Sequence, residues 1–233
     1  MEIYMNYFYL YIFFLVCFII GMSYYNMMIE GFTKQPTNAN AKTKAIVLLG
    51  DSILKNDAYV SDGKSVEHLV SERNKRMYGF AQDNSKIVDV YTQINQIPYA
   101  MDSPDTYIFL SVGGNDILTH YVEQRNDVNN TTILKTMFIA YKKVIKSIQT
   151  RLPKANLLLL DIYYPDNLRY KQFHSIIKQW NDTIYAFAKN PNNHIHGVIK
   201  ISEQLTKPDD FSFGIEPSSI GGNKIANAII NII

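Results

Sequence analysis

The sequence predicts an α/β protein: a three-layer α/β/α sandwich on a mostly parallel five-stranded sheet, preceded by an N-terminal transmembrane helix. Three observations predict it. Short apolar runs rich in Val, Ile and Leu recur along the chain without polar alternation, the form of strands buried on both faces. Between them lie segments with apolar residues every three or four positions, as helices covering such a sheet would have. Ahead of both stands YFYLYIFFLVCFIIGM, residues 7–22, which contains no charged residue.

Residues 1–32 are read as a membrane anchor. A spanning helix needs about 20 mostly apolar residues, and residues 7–25 with their flanks supply them. Tyr7 and Tyr9 at one end, and Tyr24 and Tyr25 at the other, are placed as an interfacial aromatic belt. A cleaved signal peptide wants a positive leading segment and a small-residue cleavage site, and MEIYMN and GMSYYN provide neither. Residues 33–44 are polar, broken by Pro36, and read as a tether. Lys34, Lys42 and Lys44 follow the span and only Glu2 precedes it, which places the folded domain on the cytoplasmic side. The sequons at Asn129, Asn130 and Asn181 would matter only on the opposite, lumenal side.

Residues 45–233 form that domain. AIVLLG, ending abruptly in Asp51 and Ser52, is the first buried strand. SVEHLVSER has helical spacing, and RMYGFAQ is a short second strand. In KIVDVYTQINQI, Ile87, Val88, Tyr91 and Ile94 share a helical face. TYIFLSV is a third strand ending in glycines, and ILKTMFIAYKKVIKSIQTRL a long helix with Pro153 just past its end. ANLLLLDIYYP holds the fourth strand, QFHSIIKQWNDTIYAFAKN a helix stopped by Pro191, and GVIKIS the fifth strand. The last helix runs from about Gly222 onward.

Composition narrows the function. The 233 residues, 47% hydrophobic and 19% charged, can bury one good-sized core and leave little length for a second domain. A formal charge of +2, with no cluster of Lys or Arg, argues against nucleic acid as a partner. The single cysteine, Cys17, excludes an intramolecular disulfide and any CxxC metal site. No two histidines are spaced with carboxylates as in a metal cluster, so neither metal nor cofactor is expected.

Two motifs carry chemistry. GDS at 50–52 and GGND at 113–116 are each, alone, common turns. Each also ends a predicted central strand, so both open onto the crevice at the carboxyl edge of the sheet, where functional residues of such folds gather. A serine hydroxyl at one strand end, and an amide side chain beside glycine N–H groups at the next, supply a nucleophile and an oxyanion hole.

On these residues the chain, from about Ala45 to Ile233, resembles the SGNH or GDSL hydrolase family, whose domain is a flavodoxin-like sandwich. LLGDSI is similar to the family's first block and puts Ser52 in the nucleophile's place, with Asp51 as a possible accessory beside it. SVGGND is similar to the third block and puts Gly114 and Asn115 at the oxyanion positions. GFAQDNSKIVDVYTQINQIP resembles the second block, with Asn84 at a glycine whose N–H is a further oxyanion donor. Asn tolerates positive φ better than most residues, so the resemblance implies that the donor survives. The fourth block departs from the pattern Asp-x-x-His-Pro-Ser. FSFGIEPSSIGGNKIA keeps the proline, serine, glycine and helix, with Phe213 at the aspartate and Glu216 at the histidine. IEPSxxGGxKIA resembles a branch of the family in its own right.

Two readings of Glu216 stand. As a base, an ordinary glutamate at about 4.3 is roughly two pKa units weaker than histidine at about 6.5, and apolar surroundings raise it toward neutrality. Otherwise Glu216 caps the N–H groups that open the last helix. His120, five residues past Asn115, and Asp161, at the end of the fourth strand, are within reach of the same crevice. His68 and His174 fall on predicted helices, at surface positions, while His194 and His196 precede the fifth strand, at the opposite end of the sheet. The expected function is a membrane-anchored hydrolase of acyl or acetyl esters with Ser52 as nucleophile, the anchor tilting the substrate toward lipid-like esters. The alternative is a binding module of the same fold, lacking the Asp–His pair and using the crevice to hold an acyl group.

Overall fold

The computed structural model describes residues 43–123 and 130–233. The expected anchor, and all of the expected linker but its last two residues, lie outside the described residues. Among the described residues, no helix is long and apolar enough to cross a membrane.

Five strands form one parallel sheet: β1 (Ala45–Gly50), β2 (Met77–Gly79), β3 (Thr106–Ser111), β4 (Asn156–Leu160) and β5 (Gly197–Ile199). Their order is β2-β1-β3-β4-β5, the doubly wound order in which ligands bind outside the carboxyl ends of β1 and β3. β1 and β3 pair over their full length, from Ala45 opposite Thr106 to Gly50 opposite Ser111, so the two strands end level.

Successive residues of a strand point to opposite faces, and here both faces are apolar. Ala45, Val47 and Leu49 enter one core, and Ile46 and Leu48 the other. β3 divides likewise, Ile108 and Leu110 against Tyr107 and Phe109. Six helices cover these faces among the described residues: α1 (Val66–Arg73), α2 (Val90–Gln96), α3 (Gly114–Glu123), α4 (Asn130–Arg151), α5 (His174–Lys189) and α6 (Ser219–Ile230). α1 and α6 pack on the Ile46 face, through Val66, Val70, Ile225 and Ile229. The other four pack on the Val47 face, through residues such as Val90, Ile117, Val144 and Trp180. The three-layer sandwich follows. At about 1.5–3 kcal/mol for each fully buried aliphatic side chain, this double burial makes β1, β3 and β4 a rigid centre from which the site projects.

Two expected details shift. The segment at 86–97 opens as a 3₁₀ turn, Ile87–Asp89, and turns α-helical only at Val90. Its buried stripe is Ile87, Val90, Ile94 and Ile97, whereas Val88 and Tyr91 face solvent. Those two apolar residues lie on the neighbouring face and mimic the core stripe in sequence. α6 begins at Ser219 rather than near Gly222, because the Ser218 hydroxyl caps it, accepting from the N–H groups of Ile220 and Gly221. Gly221 serves close approach instead: a Cβ there would stand 2.2 Å from the Asp210 carbonyl oxygen.

Ahead of α6 is a small antiparallel hairpin, β6 (Phe211–Ser212) and β7 (Glu216–Pro217). Phe213 and Gly214 both take positive φ, 53° and 72°, in its turn, the backbone that tight hairpins require.

Candidate active site

β1 ends at Gly50 with φ of 131°, and a Cβ there would stand 1.7 Å from the Ser111 carbonyl oxygen. Only glycine lets the two central strands run level to their ends. The Gln93 side chain clasps this glycine: the Gly50 N–H donates to Oε1 at 2.7 Å, and Nε2 donates to the Gly50 carbonyl at 2.8 Å. The Asp51 N–H then donates to Ser111 O, and the Asp51 carbonyl accepts from the N–H groups of Leu54 and Lys55. The resulting turn sets Ser52 beyond the strand end, 6% exposed. Among the described residues nothing accepts a hydrogen bond from the Ser52 N–H.

β3 ends in the same way. Gly113 has φ of 122°, and a Cβ there would stand 2.8 Å from the ring of buried Trp180. α3 starts at the next residue, and the first N–H groups of a helix have no partner within it. Gly114 therefore presents an amide with no partner within the helix, at a helix end that favours negative charge. Asn115 Nδ2 donates to Ser85 O at 3.0 Å; a side-chain amide has two hydrogens, so one remains for a ligand. Asp116 Oδ2 accepts from the Ile87 N–H at 3.0 Å, pinning the Ser85 segment to α3.

Glu216 reaches the same place from β7. Tyr163 donates its hydroxyl to Ile215 O at 2.6 Å, and Asn56 Nδ2 donates to Pro217 O at 2.9 Å, so the backbone on either side of Glu216 is held. Ser218, and not Glu216, fills the cap of α6. The Glu216 carboxyl instead faces the Ser52 hydroxyl, and its Oε2 is buried with no hydrogen-bond partner among the described residues.

Burial dominates the titration of both carboxyls. It holds Glu216 above its ordinary 4.5, with Asp83 adding to the rise and the Ser52 hydroxyl opposing it. Asp51 is pushed up to about 8 by burial, with the Glu216 charge adding to the rise; the Ile53 N–H and the Ser111 hydroxyl oppose it. At neutral pH Asp51 therefore carries its proton.

Asp51, Ser52, Gly114, Asn115 and Glu216 all line one cleft. The other expected residues do not. Asn84 has the positive φ its position asks for, 60°, but its N–H donates to Asp83 Oδ1 at 2.8 Å and its side chain is exposed. His120 is half-buried on α3 and does not line the cleft. Asp161 turns away to Ser202 and Tyr185. His174 bonds the Pro165 carbonyl at 3.0 Å, and no histidine lines the cleft among the described residues. Phe213 is 79% exposed at the hairpin tip. Two supporting residues escaped the sequence reading, Gln93 and Asn56, both wholly buried. Gln93 had a signal: it is a polar residue inside the stripe Val90, Ile94 and Ile97.

No family model and no curated protein matches the chain. Solved structures do match. A member of the lipolytic protein G-D-S-L family from Veillonella parvula DSM 2008 superposes with a TM-score of 0.61 at 20% identity, over 81% of this chain and 97% of that one. The lipase Lip_vut3 from a goat rumen metagenome gives 0.58 at 15% identity, over 81% and 97%. Phospholipase A1 from Streptomyces albidoflavus NA297 gives 0.53 at 14% identity, over 82% and 99%.

Proposed function

The chain has the SGNH, or G-D-S-L, fold, and from that premise we propose a membrane-anchored hydrolase of carboxylic esters with Ser52 as nucleophile and Glu216 as general base. One observation carries this reading: a serine hydroxyl, the open start of α3 with the Asn115 amide, and a half-buried carboxyl converge on one cleft.

In the proposed reaction Ser52 Oγ attacks the acyl carbonyl as its proton passes to Glu216. The N–H groups of Ser52 and Gly114 and the Asn115 side chain hold the oxygen that becomes negative. Collapse breaks the ester C–O bond, the departing alkoxide takes the proton from Glu216, and the acyl group stays on Ser52. Water then attacks the acyl carbon and gives a proton to Glu216. A second collapse returns that proton to Ser52 Oγ and frees the carboxylic acid. Burial suits Glu216 to this work by making it a stronger base. A neutral Asp51 keeps a second negative charge away from the developing oxyanion.

A second reading, a module that binds an acyl group without cleaving it, has one observation in its favour: no histidine lines the cleft among the described residues. A fluorophosphonate probe separates the two. Labelling that disappears in Ser52→Ala supports the hydrolase, and a domain that takes no label at any pH supports the binding module.

Membrane attachment in this proposal rests on the uncharged run at residues 7–22, and the Lys34, Lys42 and Lys44 side chains orient the domain to the cytoplasm. The full chain is expected in the detergent phase on partitioning, and a chain beginning at Lys42 in the aqueous phase. Full-length protein found in water would refute the anchor.

A further inference from the structure

The cleft beside Ser52 is small, and its inner wall belongs to the core. Its cavity volume is about 50 Å³. An engineered apolar cavity of about 150 Å³ takes benzene, so a third of that volume takes roughly two carbons. Ile117 on α3, Ile162 after β4, and Phe173 and Ile177 at the start of α5 form the wall, each 5% exposed or less. All four belong to the same packed cluster as Trp180, Val144 and Val112. Such a wall is as dense as an organic crystal and does not part for a long chain.

The positions of the polar groups say which half of an ester enters. The oxyanion donors lie at the starts of the Ser52 turn and α3. Glu216, which returns the proton to the leaving oxygen, stands on the hairpin side, near Asp83 and Tyr59. Asp83 is exposed there, with the Tyr59 hydroxyl bonded to it at 3.0 Å. A leaving oxygen beside Glu216 lies on the hairpin side, and the apolar wall is the part of the cleft left for the acyl group.

We infer that the acyl group is short, acetyl to butanoyl, seated against Ile177 and Phe173, with the alcohol half lying outside the cleft. This rests on the ester-hydrolase reading and sharpens it: the cleft selects short-acyl esters and refuses fatty-acyl chains, so a lipid-like portion, where present, is on the alcohol side.

The test uses 4-nitrophenyl acetate, butanoate, octanoate and dodecanoate, with dodecyl acetate as the long-alcohol counterpart. In wild type, kcat/KM should fall at least about tenfold between butanoate and octanoate, since a single methylene against a filled pocket is worth roughly 10- to 200-fold. Dodecyl acetate should be cleaved and dodecanoate should not. Ile177→Ala removes three carbons from the wall and should raise the octanoate-to-acetate ratio by about tenfold or more. Leu118→Ala, half-buried at the rim, should shift the ratio the same way and decides the matter if Ile177→Ala does not fold. Ser52-dependent turnover that is level across acyl lengths overturns the short-acyl inference and leaves the hydrolase standing. Turnover that falls with alcohol length and not with acyl length overturns the seating. No Ser52-dependent turnover of any ester overturns the inference together with the reading beneath it.

Discussion

Changing Glu216 to glutamine keeps its size and hairpin contacts while removing a base, so it isolates the proposed chemistry. Turnover should fall by about 10² to 10⁴ with the melting temperature nearly unchanged, because Ser218 and not Glu216 caps α6. The wild-type rate should rise with pH as the carboxylate ionises, with a midpoint above 4.5. Equal rates in wild type and Glu216→Gln would dismiss Glu216, whereas His120→Ala should change nothing. Asp51 makes a separate claim on stability. Its folded-state pKa of about 8 exceeds its ordinary 3.8, so the folded protein holds this proton more tightly. That stabilisation is complete below about 3.8 and is lost as pH rises through about 8. Melts of wild type and Asp51→Asn should therefore converge in acid and separate toward alkaline pH, with the variant the more stable there. A separation of the opposite sign would refute a protonated Asp51. The placement of Ser52, Gly114 and Asn115 just beyond strand ends was legible in the sequence because each lies in a recognisable motif that follows a buried strand. The proton on Asp51 was not, since it depends on burial by residues distant in the chain.

The two strand-ending glycines and the hairpin act at the level of elements. Gly50→Ala would press a Cβ against the Ser111 backbone and should give no soluble folded domain, as judged by circular dichroism. Phe213 holds a left-handed conformation, which costs a side chain with a Cβ roughly 1–2 kcal/mol. Phe213→Asn suits such a turn and should raise the melting temperature; a lowered one would mean that the edge contact with Tyr59 outweighs the backbone. Ser218→Ala should cost about 1 kcal/mol as a lost helix cap. The long buried strands and the amphipathic α5 were legible from period alone. The hairpin was not, because strands of two residues have no period to show. The stripe of α2 was misplaced because Val88 and Tyr91 are apolar yet exposed.

The whole molecule is organised by the order of its sheet. β3 lies between β1 and β4, which brings Ser52 and Asn115 to neighbouring strand ends. Apolar patterning foretold a parallel sheet; it could not tell which strands adjoin, because crossover connections leave that open. The flavodoxin-like order was implied by motifs alone. That order also has a consequence in time. Ser52 and Glu216 are 164 residues apart (216 minus 52), and a chain emerges from the ribosome N-terminal part first. The proposed nucleophile is thus made early and its proposed base late, and the hairpin that carries Glu216 must still dock on Asn56 and Tyr163. Ribosome-bound chains stalled before Phe211 should ignore a fluorophosphonate that the released chain accepts. On the proposed chemistry, a protein assembled in this sequence would be silent toward esters throughout its own synthesis, and its first turnover would report that the chain has closed.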